Sequence, residues 1–533
     1  MLIIKSRKRR VFGLDEPLKH ESHKKPVTRR DFLAQGFLSG AATVIAPTML
    51  ASMLNPQRAA ALAPDLNTIA VDPARCNIRP GTGRIPFICF DLAGGANIAG
   101  SNVLVGQAGG QLNLLSTQGY SKLGIPGDML PNTATGDFID QSMGIAFHSD
   151  SAWLRGILTK ASPAAMALTN GIVIPARSEN DTGNNPHNPM YGLAKAGPGG
   201  EGARGELLTL IGSQNSESGG NSMAPAMMLN AELRPTKIDR NSDVAGLGST
   251  GPAPVLGLGP TVKAAESMAR ISGFKLGDPN DVAPNTTDDP VTTGLITGDL
   301  ESKRRAQCAY IKSAKTMEDS LNDPSKFSPR TDPDIQAIFP GAEFGGEFEK
   351  TASVMKLVVP GAAGAGTISM GGYDYHTGDR MTGEARDFRA GQCIGAVLEY
   401  AHRRQRPVML YIFSDGSLSS NGRVDDSVGG RGKGEWTGDN QQTACSVILV
   451  YNPTARPALM QPGRNQIGAF SKDGDVVTSS NPGANSVNLL VHMVLLNYMA
   501  LNGEAGDFTS VFGNVLGASA AELDRWIGFQ PLA

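Results

Sequence analysis

The chain lacks the short signatures of several common chemistries. Its five cysteines (Cys76, Cys89, Cys308, Cys393, Cys445) include no Cys-x-x-Cys pair, which excludes zinc-ribbon and thioredoxin-like sites. Nothing in the cysteine or histidine spacing supports haem or iron–sulfur ligation. No G-x-S-x-G nucleophile elbow is present. Gly94-Gly95 does not complete a dinucleotide fingerprint, because no acidic residue stands about 20 positions later. Basic residues are not in surplus: 48 Lys and Arg face 50 Asp and Glu, so a nucleic-acid surface is not expected. Aromatics are scarce at 6%, whereas glycine is abundant at 65 residues. That balance fits a compact, loop-rich protein with close helix–sheet contacts.

A second long apolar run is also missing. Val487–Leu501 is apolar but carries His492 and two asparagines, and it is too short to span a bilayer, so it reads as a buried helix. The first apolar run is different. Thr28-Arg29-Arg30-Asp31-Phe32-Leu33 precedes the stretch from Gly36 to Leu54, and small residues follow at Ala59–Ala63. Paired arginines, an aromatic, a mildly apolar run and a small-residue cut site read as a twin-arginine export signal with an extended basic leader. The expected address is therefore the periplasm or the exterior. The translocase would be a transient partner, and no stable membrane span would remain after cleavage. In such a compartment an odd cysteine count leaves at least one thiol unpaired, and Cys76 and Cys308 can pair. Cys89, Cys393 and Cys445 sit in apolar patterns and read as core residues.

Beyond the signal (residues 1–63), strands and helices alternate. The spacing predicts strands at Pro86–Phe90, Ala164–Thr169, Gly366–Met370, Pro407–Phe413 and Cys445–Tyr451. It predicts helices at Ala152–Lys160, Glu347–Leu357 and Arg386–His402. This alternation argues for a mostly parallel sheet covered by helices. Residues 196–340 differ, with Gly, Pro, Asn and Asp clusters interrupted by helical patterns near Thr261–Ser272 and Glu301–Leu321. They read as an insertion or cap between two parts of an α/β core, 64–195 and 341–533.

Ligands in parallel sheets bind beyond the carboxyl ends of the strands. Asp91, Asp374, His376 and Asp415 all fall just after predicted strand ends, and His187 lies in a polar loop after an earlier strand. Carboxylate and imidazole together suit a divalent metal such as zinc, manganese, iron or calcium, which polarises an ester or phosphoryl oxygen. Each residue also has a plainer role: Asp91 and Asp415 as caps or turn formers, His376 bonded to backbone, His187 as loop surface. Ser414, directly after a strand, is a candidate nucleophile, as is Ser101 after the glycine loop. Asp278, Asp281, Asp288, Asp289 and Asp299 lack EF-hand spacing and read as a solvated loop.

These blocks occur in a recognisable order. The arginine motif, Leu92–Asn97, the His187 loop leading into Met190–Ala194, Gly371-Gly372-Tyr373-Asp374-Tyr375-His376 and Phe413-Ser414-Asp415-Gly416 together resemble the exported family known as domain of unknown function 1501. That family is distantly similar to the alkaline phosphatase and sulfatase superfamily. The resemblance implies a three-layer α/β/α sandwich with a mostly parallel central sheet. It implies metal ligands at His187, Asp374, His376 and Asp415, with Asp374, His376, Ser414 and Asp415 in the catalytic set. It also implies a small anionic phosphate or sulfate ester as substrate. Two departures shrink the site. Asn97 stands where the family carries an acid, and Gly432-Lys433 stands where many members carry Asp-His. The competing expectation is a non-catalytic exported protein that binds a partner, or holds an anion with Arg423, Arg431 and Lys433.

Overall fold

The computed structural model describes residues 63–71, 84–179, 185–247 and 327–532 apart from 379 and 518, together with Cys76 and isolated residues between 263 and 315. The arginine motif, the apolar run after it and the aspartates between 278 and 299 lie outside the described residues.

Nine strands matter for the site: β1 (Phe87–Leu92), β2 (Thr169–Pro175), β3 (Leu208–Gly212), β4 (Thr236–Lys237), β5 (Ala363–Met370), β6 (Val408–Phe413), β7 (Leu418–Asp425), β8 (Lys433–Asp439) and β9 (Cys445–Tyr451). Seven form one mixed sheet in the order β2-β9-β6-β1-β5-β3-β4. All its pairings are parallel except those of β9, which runs against both β2 and β6. β7 and β8 form a separate antiparallel hairpin.

The central strands are near-continuous apolar runs because both of their faces are covered. Along β1, Ile88, Phe90 and Leu92 join one hydrophobic cluster, whereas Phe87 and Cys89 join another. The first cluster takes in helices α1 (Ala152–Leu158), α3 (Gly346–Val358) and α4 (Arg380–Arg404). Ile394, Val397, Leu398 and Ala401 supply the buried stripe of α4. Gly391 permits a close crossing, since a Cβ there would stand 2.2 Å from the carbonyl oxygen of Trp153 in α1. The second cluster is built on α5 (Val487–Leu501), which is buried almost all round and capped by the Ser486 hydroxyl. No helix among the described residues is long and apolar enough to cross a membrane.

Two expectations differ from the structure. Ala164–Thr169 is not a strand: Pro163–Ala167 is a short helix, α2, and β2 begins at Thr169. Ser162 caps the Ala165 amide and Pro163 opens the first turn, which are helix-start signals that outweigh a short apolar run. Within 196–340, β3 and β4 are strands of the main sheet, not insertion. The short Leu-Thr-Leu-Ile-Gly run of β3 is hard to see between Gly- and Asn-rich loops. The main sheet, its helices and the residues of the site all fall within one compact unit, 70–250 with 322–533. Cys89, Cys393 and Cys445 are free and buried.

Candidate functional site

Parallel strands β1, β5 and β6 deliver their carboxyl ends to one edge of the sheet. There the register sets Asp91 opposite Ser369 on one side and Phe413 on the other. Asp91 is therefore inside β1, not after it, and its side chain shares the face of Phe87 and Cys89. The loop after β1 is held by the residues after β6. The Ser414 hydroxyl donates to Leu92 O at 2.6 Å and accepts from the Ala96 amide at 2.8 Å. Asp415 Oδ1 accepts from the Gly94 amide at 2.8 Å. Gly94 has φ +126°, and a Cβ there would stand 2.6 Å from the Asp374 amide nitrogen. Only glycine lets these two loops touch.

The loop after β5 presents its residues alternately. Tyr373 and Tyr375 are buried, while Asp374 is exposed and His376 half-buried. The Tyr375 hydroxyl donates to Asp387 at 3.0 Å and accepts from the Asn97 amide at 3.2 Å. Asn102 donates to the other Asp387 oxygen at 2.7 Å. The loop is thus pinned from below through Tyr375, and Asp374 and His376 project at the rim.

His376 Nδ1 lies against Asp374 Oδ1 and 3.1 Å from Asp439 Oδ1. One ligand atom from each of the three residues falls within 4.8 Å of the others, so Asp374, His376 and Asp439 form a group able to hold a metal ion. Asp439 was not among the residues expected from sequence. It arrives through the β7–β8 hairpin, whose register returns Asp439 to a position opposite Leu418, where Asn440 donates to Ser417 O at 2.8 Å. The glycine-rich stretch 429–434 is the one turn signal there, but the flanking segments are rich in Ser, Gly and Asp and do not read as strands.

The other expected residues occupy a deeper layer. Asp91 is fully buried and accepts from the Ser222 hydroxyl at 2.9 Å and the Ser222 amide at 2.8 Å. Burial, with the Asp415 charge adding to it, pushes its pKa up to about 7. Asp415 is also buried, and its carbonyl accepts from Asn185. His187 stacks on Phe413 with centroids 5.7 Å apart. It is buried, and neither of its ring nitrogens has a hydrogen-bond partner among the described residues. Burial pulls its pKa down to about 3, so the ring is neutral at pH 7. The rim group and the deep residues share the sheet edge, but Asp91, Asp415 and His187 are not part of the 4.8 Å group.

Asn97, expected as a substitute for an acid, is a structural strut that donates to Leu418 O at 3.0 Å. The cations considered as anion holders already have carboxylate partners. Lys433 is buried, 2.9 Å from Glu384 and 3.3 Å from Asp150, with Arg431 also on Asp150. Arg423 stands 3.3 Å from Glu435. Arg380 joins Glu384 at 2.8 Å and lies over Trp436. This network fastens the hairpin to α4, and burial lowers the Lys433 pKa despite its acidic partners.

No family model and no curated protein matches the chain.

Proposed function

We propose that this chain is an exported, metal-dependent hydrolase of phosphate or sulfate esters with a reduced metal site. In this reading it is a three-layer α/β/α member of the domain of unknown function 1501 family, distantly related to alkaline phosphatases and sulfatases. The observation that carries the proposal is the convergence of Asp374, His376 and Asp439 on the carboxyl edge of a mostly parallel sheet.

The donor set fits a divalent metal. Two carboxylates and one imidazole suit zinc, manganese or iron better than calcium, which prefers oxygen alone. His187 is neutral and buried with both nitrogens unpartnered among the described residues, but it lies outside that group. A bound metal would supply Lewis acidity toward the ester oxygen. The protein's own residues do the rest. Tyr375 and Asp387 hold the Asp374–His376 loop in place. Ser414 and Asp415 fix the glycine loop beneath it, and the engaged Ser414 hydroxyl acts as a support while water attacks.

The test is hydrolysis of aryl phosphate and aryl sulfate esters by mature protein, with and without chelation and metal repletion. Metal-restored turnover that is lost in the Asp374→Ala/His376→Ala variant supports the reading. The second reading, an exported binding or assembly protein, draws on the committed Ser414 hydroxyl and on Lys433 in its ion network. It predicts no turnover with any metal, and partner binding that is indifferent to the double substitution.

A further inference from the structure

An open cavity of about 770 Å³ lies between the start of α3, the middle of α4 and residues 239–240. It adjoins the rim group. Arg386 lines it, and a Cβ on Gly372 would stand 2.9 Å from Arg386 Cζ, so the guanidinium rests on the loop two residues before Asp374. Two residues of extended chain span about 7 Å, so the cavity opens within a small molecule's length of the rim group. Tyr373 fastens the same loop to α4 by donating to Arg386 O at 2.9 Å.

The charges of the cavity do not balance. Its carboxylates each have a cation nearby: Asp239 is 3.9 Å from Lys350, Glu347 is 3.7 Å from Arg386, and Glu349 is 3.5 Å from Arg330. Arg389, one turn beyond Arg386 on α4, lines the cavity with no carboxylate or hydrogen-bond partner among the described residues. One face of its guanidinium covers the Phe348 ring at 4.2 Å, which fixes the group and leaves its N–H edge available. Gly345 and Gly346 also line the cavity, at the start of the 13-residue helix α3, which has no side-chain cap. The positive end of that helix is offset by Glu347 and Glu349 in its first turn, so the free charge of the cavity is that of Arg389.

We propose that this cavity is an anion subsite. It binds a second anionic group of the substrate, a carboxylate or a phosphate, while the ester itself lies at Asp374, His376 and Asp439. The assignment rests on reading that group as the reacting end. It narrows the substrate class to esters whose alcohol portion carries its own negative charge. A guanidinium with a free edge recognises either anion through paired N–H donors.

The experiment is calorimetric titration of the chelator-treated mature protein with inorganic phosphate and, separately, with acetate. Removing metal first takes the rim group out of the reading, and the arginine variants separate this cavity from any other basic site. Wild type and the Asp374→Ala/His376→Ala variant should bind one or both anions equally, and the better anion names the group. Arg389→Gln, which keeps its stem over Phe348, should weaken binding about tenfold or more, the effect of losing a charge-assisted contact. Arg386→Gln should weaken it too, and it carries the test if Arg389→Gln misfolds. Failure of wild type to bind either anion overturns the subsite, as does equal binding by both arginine variants. The hydrolase reading stands or falls separately. Arg-dependent anion binding without metal-restored turnover would discard the hydrolase and keep an anion-binding site. Turnover that both variants leave unchanged on anionic esters would keep the hydrolase and discard the subsite.

Discussion

Tyr375 and Asp387 are hydrogen-bonded at 3.0 Å beneath the loop that carries Asp374 and His376. The tyrosine alternates inward between two outward residues, and its hydroxyl also accepts from Asn97. A single buried hydroxyl therefore sets the height of the rim group above the sheet. Tyr375→Phe should destabilise the fold by about 1–3 kcal/mol, since it leaves the Asn97 amide and the Asp387 carboxylate short of a partner. It should also weaken metal binding. Urea denaturation and metal titration of the variant check both.

Asp387 and Asp91 are both buried, and burial is the main cause lifting each pKa to about 7. In the unfolded chain both revert to ordinary carboxylate values near about 4. The folded state thus holds protons that the unfolded state has released. The contribution of these two carboxyls to stability is full below about pH 4 and is lost as the pH rises through about 7, while the buried, neutral His187 and His148 act in the opposite direction over the same window. Asp387→Asn should remove the Asp387 share of that loss. Thermal melts of wild type and Asp387→Asn across this range in chelator decide it, and an identical pH dependence in the two proteins would contradict the burial assigned to Asp387.

Asp439 should matter to metal binding as much as Asp374 does. Asp439→Ala is expected to lower metal occupancy without unfolding the protein, because the side chain is about half exposed. For wild type, metal at a hundred times its dissociation constant should add about 2.7 kcal/mol to stability, and the variant should lose most of that gain. Melting with and without added zinc or manganese reads the difference.

Gly94→Ala tests the contact between the two glycine loops. The residue has a positive φ, and its Cβ would collide with the Asp374 backbone. A cost of about 1–3 kcal/mol from backbone strain is expected, together with weaker metal binding because Asp374 is displaced. Gly378→Ala, with φ +87° but nothing within 4 Å of its Cβ, is the control for strain without collision.

Much of the sheet was legible from local pattern. Pro407–Phe413 and Cys445–Tyr451 are apolar runs bounded by turn residues, and they became β6 and β9. Val487–Leu501 became α5 with the same limits. Asp374 and His376 were visible because their spacing and their place after a strand are both local. Asp439 was not, because its approach depends on the register of a hairpin 22 residues long from end to end, and register is a tertiary property. The β3 strand failed for a similar reason: five residues with little periodicity become a strand only when β5 is beside them. The support role of Ser414 was equally hidden, since its partners Leu92 and Ala96 lie more than 300 positions away.

The most direct test of the central claim is elemental analysis by plasma mass spectrometry of the purified protein beside the Asp374→Ala/His376→Ala variant. The account predicts a stoichiometric divalent metal in the wild type and its loss in the variant. Absence of stoichiometric metal from both proteins, or equal metal in both, would contradict it.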